Sequence, residues 1–305
     1  MEGVIAAVPT PVDAAGRPRR AAFLEHGCWA LANGCDGLNI LGSTGEATSF
    51  DTATRREIMA WAAEGLDISR LTVGTGTPAL AESIDLTARA DALGYRVALV
   101  LPPYYYTPPS QDGLIAWYLA LHAALGDRRI ALYFYNYPQM TGFPIPIEVI
   151  ETLHGAHPGR FGGVKDSSGD LDYCRALTVR MPGLRVFPSN EAALGEAAQS
   201  GFAGCISATA NVSAPLCGAL WARREHPDPG LIAKVSGLRQ AVAAWPLIPA
   251  IKHMVGRRMD EADWRHVLPP FRPLAPEARA ALNEIELPRP IVADAAPVGE
   301  QDEQA

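Results

Sequence analysis

Three of the 26 basic residues are lysine (Lys165, Lys234 and Lys252), and Lys165 alone ends an apolar run and enters a Gly/Ser/Asp turn, in "GRFGGVKDSSGD" (159–170). A lysine at a strand end is a candidate nucleophile, because its amine condenses with a carbonyl to form a Schiff base. Such an amine must spend time neutral, with a pKa nearer about 7–8 than the free value of about 10.4, and desolvation penalises the charged form. Arginine stays protonated and cannot replace it. The same placement also suits a lysine that snorkels to solvent or pairs with Asp166.

Two further stretches supply what that chemistry needs. In "ALYFYNYPQMTG" (131–142), Tyr135 and Asn136 end the run before that of Lys165, and a phenol there can shuttle protons to and from a carbinolamine. Packing with a satisfied hydroxyl is the plainer role for such a tyrosine, and the deeper Tyr133 is assigned to packing. In "ILGSTGEATSF" (40–50), the turn Gly42-Ser43-Thr44-Gly45 offers two hydroxyls and exposed N–H groups, a nest suited to a carboxylate. It has neither the Gly-Lys-Ser/Thr of a phosphate loop nor the Gly-x-Ser-x-Gly of a hydrolase elbow. An amine, a phenol and a carboxylate nest together fit a 2-oxo acid such as pyruvate.

These residues must be held by a scaffold, and the chain repeats one rhythm eight times. Short apolar runs at 4–8, 37–41, 71–75, 96–101, 130–135, 161–165, 184–188 and 204–208 alternate with amphipathic segments of helical period, as parallel strands covered by helices require. Lys165 then closes the sixth strand and Tyr135 the fifth. Period two puts Phe161, Gly163 and Lys165 on one face, with Gly163 leaving space beside the lysine stem. The expected fold is α/β, a (β/α)8 TIM barrel, whose C-terminal strand ends carry the active site. An open doubly wound sheet is the alternative, but its GxGxxG is absent. Expected boundaries are a barrel over 1–225, a C-terminal helical appendage over 226–288 and a disordered Pro/Ala/acidic tail over 289–305.

A net charge of −7 and a pI near 5.5 argue against nucleic-acid and anionic-membrane partners, which need clustered Lys/Arg. There is no apolar run long enough to span a bilayer and no basic leader, so a cytoplasmic location is expected. Five widely spaced cysteines without a CxxC pair imply neither a disulfide framework nor a zinc site. His154 and His157, in "HGAHPG", read as a helix-ending turn rather than a metal pair.

The motifs "GSTGE" (42–46), "LPPYYYTPPSQDGL" (101–114), "YNYP" (135–138), "GGVKDSSGD" (162–170) and "ISATANV" (206–212) resemble, in order and spacing, the pyruvate-dependent class I aldolase superfamily that includes dihydrodipicolinate synthase and N-acetylneuraminate lyase. The resemblance covers about residues 3–285. It implies Lys165 as the Schiff-base lysine, Tyr135 as general acid/base, and Ser43 and Thr44 in the carboxylate-binding turn. It also makes Ser43 a link in a tyrosine–hydroxyl–tyrosine relay, Tyr105 the relay tyrosine that crosses from a neighbouring subunit, and Ile206 the residue whose carbonyl lines the site. A homotetramer, as a dimer of dimers, with no cofactor and no metal, is implied as well.

Met140 departs from the synthase pattern, which usually has an arginine there to clamp a second carboxylate; methionine cannot replace a bidentate guanidinium. Ser167 matches a position that often bears Ser or Thr near a sugar acid's C4 hydroxyl, although a serine in "DSSGD" also suits a turn bonding its own backbone. Met140, Ser167, Ser189 and Asn190 are expected to set specificity. The expected function is a carbon–carbon lyase joining or separating pyruvate and an aldehyde, acting on a 4-hydroxy-2-oxo acid such as a 2-keto-3-deoxy sugar acid. Dehydration of such an acid and dihydrodipicolinate synthesis are the enzymatic alternatives; a pyruvate-binding regulatory barrel is the non-enzymatic one.

Overall fold

The computed structural model describes residues 1–259 and 262–292. All eight apolar runs form strands: β1 (Gly3–Ala7), β2 (Gly37–Ile40), β3 (Leu71–Gly74), β4 (Val97–Val100), β5 (Ala131–Asn136), β6 (Phe161–Asp166), β7 (Arg185–Pro188) and β8 (Gly204–Ser207). They pair in parallel in the order β7-β6-β5-β4-β3-β2-β1-β8. The N–H of Ala203 donates to Val186 O at 2.9 Å and draws β8 toward β7, so the sheet is a nearly closed (β/α)8 barrel.

Strand alternation sorts the core into two layers. Ile5, Ala7, Val97, Leu99, Tyr133, Tyr135, Phe187 and Ile206 fill the barrel interior. Val4, Ala6, Leu38, Ile40, Val73, Phe134, Val164 and Val186 point outward into the helix layer.

One expectation of facing fails. Leu132 pairs with Phe161 but Tyr133 pairs with Gly163, so β6 has a bulge at Gly162. The extra residue inverts the alternation below it: Phe161 packs outward beside Tyr118 and Phe134, while Gly163 and Lys165 remain inward. The space left by Gly163 holds the Tyr133 ring, 2.7 Å from where a Cβ would stand, rather than the lysine stem.

Between the strands lie α1 (Arg20–Ala32), α2 (Thr52–Gly65), α3 (Leu80–Ala92), α4 (Gln111–Leu125), the one-turn α5 (Pro138–Thr141), α6 (Ile147–Ala156), α7 (Leu171–Arg180), the short α8 (Ala197–Ser200) and α9 (Ala210–Ala222). Side chains start several of them: Asp51 accepts from Thr54 N at 2.7 Å, Ser110 from Gly113 N at 3.1 Å and Asp170 from Tyr173 N at 3.0 Å. Each such cap satisfies one of the N–H groups that the first helical turn leaves unpaired. The helix expected after β7 is instead a 3-10 turn, Glu191–Glu196, followed by α8. Asn190 caps it through Ala192 N, and the Glu191 side chain is drawn inward, away from solvent.

The C-terminal segments form α10 (Pro229–Ala243), α11 (Leu247–Met259) and α12 (Pro276–Asn283). Val242, Ile251, Met254, Val255, Trp264 and Leu282 make a second apolar cluster with Ala22 and Val212, which seats these helices on α1 and α9. Within the stretch expected to fray, the N–H groups of Ile291 and Val292 donate to Asn33 Oδ1 at 2.6 and 2.8 Å. Residues 293–305 of that stretch lie outside the described residues. Among the described residues no helix is long and apolar enough to cross a membrane.

Candidate active site

Lys165 and Tyr135 are register partners on neighbouring strands, and Phe187 is the partner on the other side of Lys165. The lysine stem is therefore flanked by two aromatic rings at the barrel mouth, and the residue is 4% exposed. Its Nζ donates to the Tyr135 hydroxyl at 3.2 Å and sits 4.3 Å from that ring's centroid.

Asp166 does not take the ammonium. It points to the opposite face, where its carboxylate accepts from Asn136 Nδ2 at 2.6 Å, Ser168 Oγ at 2.8 Å and Ser168 N at 3.2 Å. Burial pushes this carboxyl up and those hydrogen bonds pull it back. Asn136 Oδ1 meanwhile accepts from Ile145 N at 2.9 Å. Asn136 and Asp166 thus brace the ends of β5 and β6, which fixes the Lys165–Tyr135 distance.

The Tyr135 hydroxyl also lies 3.3 Å from Ser43 Oγ. Lys165 Nζ, the phenol and the serine form one hydrogen-bonded chain along which a proton can move. Tyr137 stacks on Tyr135 with centroids 5.6 Å apart. Burial raises the Tyr137 hydroxyl's pKa, with the neighbouring phenol of Tyr135 adding to it.

The turn that carries Ser43 is tight and strained. Gly45 N donates to Gly42 O at 3.0 Å and Glu46 N to Ser43 O at 3.1 Å. The flanking Leu41 and Glu46 have φ of 51° and 54°, values that cost a side-chain-bearing residue roughly 1–2 kcal/mol. Thr44 is buried in the same turn.

The other expected residues spread around the mouth. Ile206 is buried against the interior cluster that holds Tyr135. Ser167 is half-buried, its N–H donating to Asn136 O at 2.8 Å, and Ser189 N donates to Asp166 O at 2.8 Å. Asn190 spends its side-chain oxygen on the cap at Ala192 N. Met140, 62% exposed on α5, and Tyr105, 75% exposed and edge-on to Tyr106, stand on the rim. His154 Nδ1 lies 2.8 Å from Phe161 O, and His157 packs on His122; both belong to the segment that leads into β6.

Two groups escaped the sequence reading. Arg239 of α10 reaches the ends of β7 and β8, where its Nη1 donates to Glu191 Oε2 at 2.8 Å, Ser189 O at 3.0 Å, Thr209 Oγ1 at 3.0 Å and Ser207 Oγ at 3.2 Å. The other is a buried ion pair between Glu46 and Lys252. The only signals for it were the rarity of lysine and the glutamate that ends "GSTGE".

The profile of the dihydrodipicolinate synthetase family matches residues 1–286. The chain belongs to this family. Its members are lyases, and this chain is a dihydrodipicolinate synthetase-family lyase. It is 34% identical over 292 residues to an uncharacterized DapA-like lyase of Chloroflexus aurantiacus, covering 92% of this chain and 94% of the relative. The dihydrodipicolinate synthase of Agrobacterium tumefaciens superposes with a TM-score of 0.84 at 30% identity, covering 92% of this chain and 97% of the other. The Acinetobacter baumannii dihydrodipicolinate synthase, solved with pyruvate, gives 0.81 at 25% identity, covering 92% and 96%.

Proposed function

We propose that this family lyase works through a Schiff base, making or breaking the carbon–carbon bond between pyruvate and an aldehyde, with a 4-hydroxy-2-oxo acid such as a 2-keto-3-deoxy sugar acid as substrate. The observation that carries the reading is the chain Lys165 Nζ–Tyr135 hydroxyl–Ser43 Oγ, with links of 3.2 and 3.3 Å. The pyruvate complex of the Acinetobacter relative supports the 2-oxo acid.

The neutral Lys165 amine attacks C2 of the oxo acid, and Tyr135 hands a proton to the departing hydroxyl so that water leaves and an iminium forms. The iminium withdraws electrons from C3. In cleavage, Tyr135 takes the proton from the C4 hydroxyl while the C3–C4 bond breaks, which releases an aldehyde and leaves an enamine on Lys165. Protonation of the enamine and addition of water free pyruvate. Ser43 links Tyr135 to the relay tyrosine, Tyr105, and the Ser43-Thr44 turn holds the carboxylate through its N–H groups and hydroxyls. Ile206 O lines the same space, and Ser167, Ser189 and Asn190 face the aldehyde portion from the adjoining loops. The exposed Tyr105 supports a relay completed by a partner subunit in a dimer of dimers.

Dihydrodipicolinate synthesis is the second reading, favoured by the names of the solved relatives. The apolar Met140 weighs against it, since it leaves the second carboxylate without a guanidinium at that position. The two are separated by supplying either 2-keto-3-deoxygluconate, with released pyruvate measured, or pyruvate plus aspartate semialdehyde, with consumption measured. Cleavage of the sugar acid is the expected result. Turnover confined to the semialdehyde would establish the second reading instead.

A further inference from the structure

Glu46 and Lys252 form an ion pair in which both side chains are 0% exposed. Glu46 is the last residue of the turn that carries Ser43 and Thr44, and its left-handed backbone is hydrogen-bonded to Ser43. Its Oε1 also accepts from Leu268 N at 2.6 Å, while Lys252 Nζ donates to His266 O at 2.9 Å. Thr10 Oγ1 grips the turn from the other side through Gly45 O at 2.9 Å. Lys252 comes from α11 and residues 266–268 from the loop beyond it, so the C-terminal helices hold this turn from behind.

Stability alone is a poor reason for such a pair. Desolvating two ions costs several kcal/mol, and an apolar replacement of the whole pair is often neutral or stabilising. What an ion pair supplies and an apolar contact does not is direction. Here it points along the turn: the carboxylate that meets Lys252 belongs to the residue whose strained backbone sets where Ser43 and Thr44 stand. A lysine suits the place better than an arginine, because its compact ammonium brings three donors to a carboxylate and a carbonyl, whereas a guanidinium would bring five.

We propose that Glu46 and Lys252 are positioning residues that lock the Gly42–Glu46 turn in the one geometry that presents Ser43 and Thr44 to the carboxylate of a 2-oxo acid. The proposal rests on the reading of that turn as the carboxylate site. It makes α11 a working part of the lyase, acting on substrate affinity through a contact that substrate never touches.

The test is the double variant Glu46→Gln/Lys252→Met, which leaves no unpaired buried charge and so avoids the main cause of misfolding. Two readouts are taken: amide hydrogen exchange over residues 42–47, and the pyruvate concentration for half-maximal borohydride trapping. The expected result is a folded protein with exchange in the turn at least about 10-fold faster and half-saturation about 10-fold higher, as for the loss of about 1.4 kcal/mol. The trapping rate at saturation should stay within about 3-fold of the parent. A folded double variant with parental exchange and parental half-saturation would overturn the proposal. Glu46→Asp, which keeps the charge and withdraws it by one methylene, is the second variant should the first not fold: both readouts are expected to move in the same direction, and unchanged values overturn the proposal. If the parent itself traps no pyruvate, the chemical reading fails, and exchange in the turn alone decides the role of the pair.

Discussion

Ser43 Oγ and the Tyr135 hydroxyl stand 3.3 Å apart although 92 residues separate them in the chain. The contact joins the turn after β2 to the end of β5, and Lys165 Nζ bonds the same phenol at 3.2 Å. One hydroxyl is thus shared by the candidate nucleophile and the candidate relay.

Replacing Tyr135 by Phe keeps the ring that packs against Tyr137 and Lys165 and removes the shared hydroxyl. Steady-state turnover should fall about 10²-fold or more, as for the loss of a general acid/base, with the thermal midpoint nearly unchanged. Near-normal turnover would return Tyr135 to a packing role.

Gly163→Ala puts a methyl 2.7 Å from the Tyr133 ring, in a barrel interior where that ring is stacked on Phe187. Overpacking of this kind costs about 1–3 kcal/mol. Chemical denaturation should register that loss, and a parental midpoint would mean that the interior yields more readily than its packing indicates.

Arg239→Met leaves the carboxylate of Glu191, which is wholly buried, without its cation. The expected loss of stability is about 3 kcal/mol or more, and Glu191→Gln/Arg239→Met should recover most of it. Equal midpoints for the single variant and the parent would show that Thr209, whose hydroxyl also donates to the carboxylate, satisfies it alone.

His26 is buried between Asn211 and Arg258, with Nε2 2.8 Å from Asn211 Oδ1 and Nδ1 2.9 Å from Arg258 Nη2. Burial, and then the nearby guanidinium, push its pKa down to about 3. The folded state therefore binds a proton less readily than the unfolded chain, whose histidine titrates near 6.5. The neutral ring's stabilisation is whole above about pH 6.5 and is lost as pH falls toward about 3, with a slope of up to about 1.4 kcal/mol per pH unit. Denaturation at pH 7, 6 and 5 should show this slope in the parent and a shallower one in His26→Gln. Equal slopes would assign the acid sensitivity elsewhere.

The barrel was legible because each strand is a short apolar run and several of the helices between them carry their own caps. The Lys165–Tyr135 contact was legible for the same reason, since both residues close consecutive strands of one sheet. The facing of Phe161 was not: "FGG" offers two glycines, and nothing local says which one is the extra residue of a bulge. The 3-10 turn after β7 was also hidden, because its sequence has helical period and what draws Glu191 inward is Arg239, 48 residues away. Glu46 and Lys252 illustrate the same limit, for an ion pair between opposite ends of a chain leaves no periodic trace.

The most direct test of the central claim is mass spectrometry of the intact protein after incubation with pyruvate and borohydride, followed by peptide mapping. The account predicts one reduced pyruvyl adduct, located on Lys165 and absent from Lys165→Ala. No adduct, or an adduct on Lys234 or Lys252 with Lys165 unmodified, would contradict it.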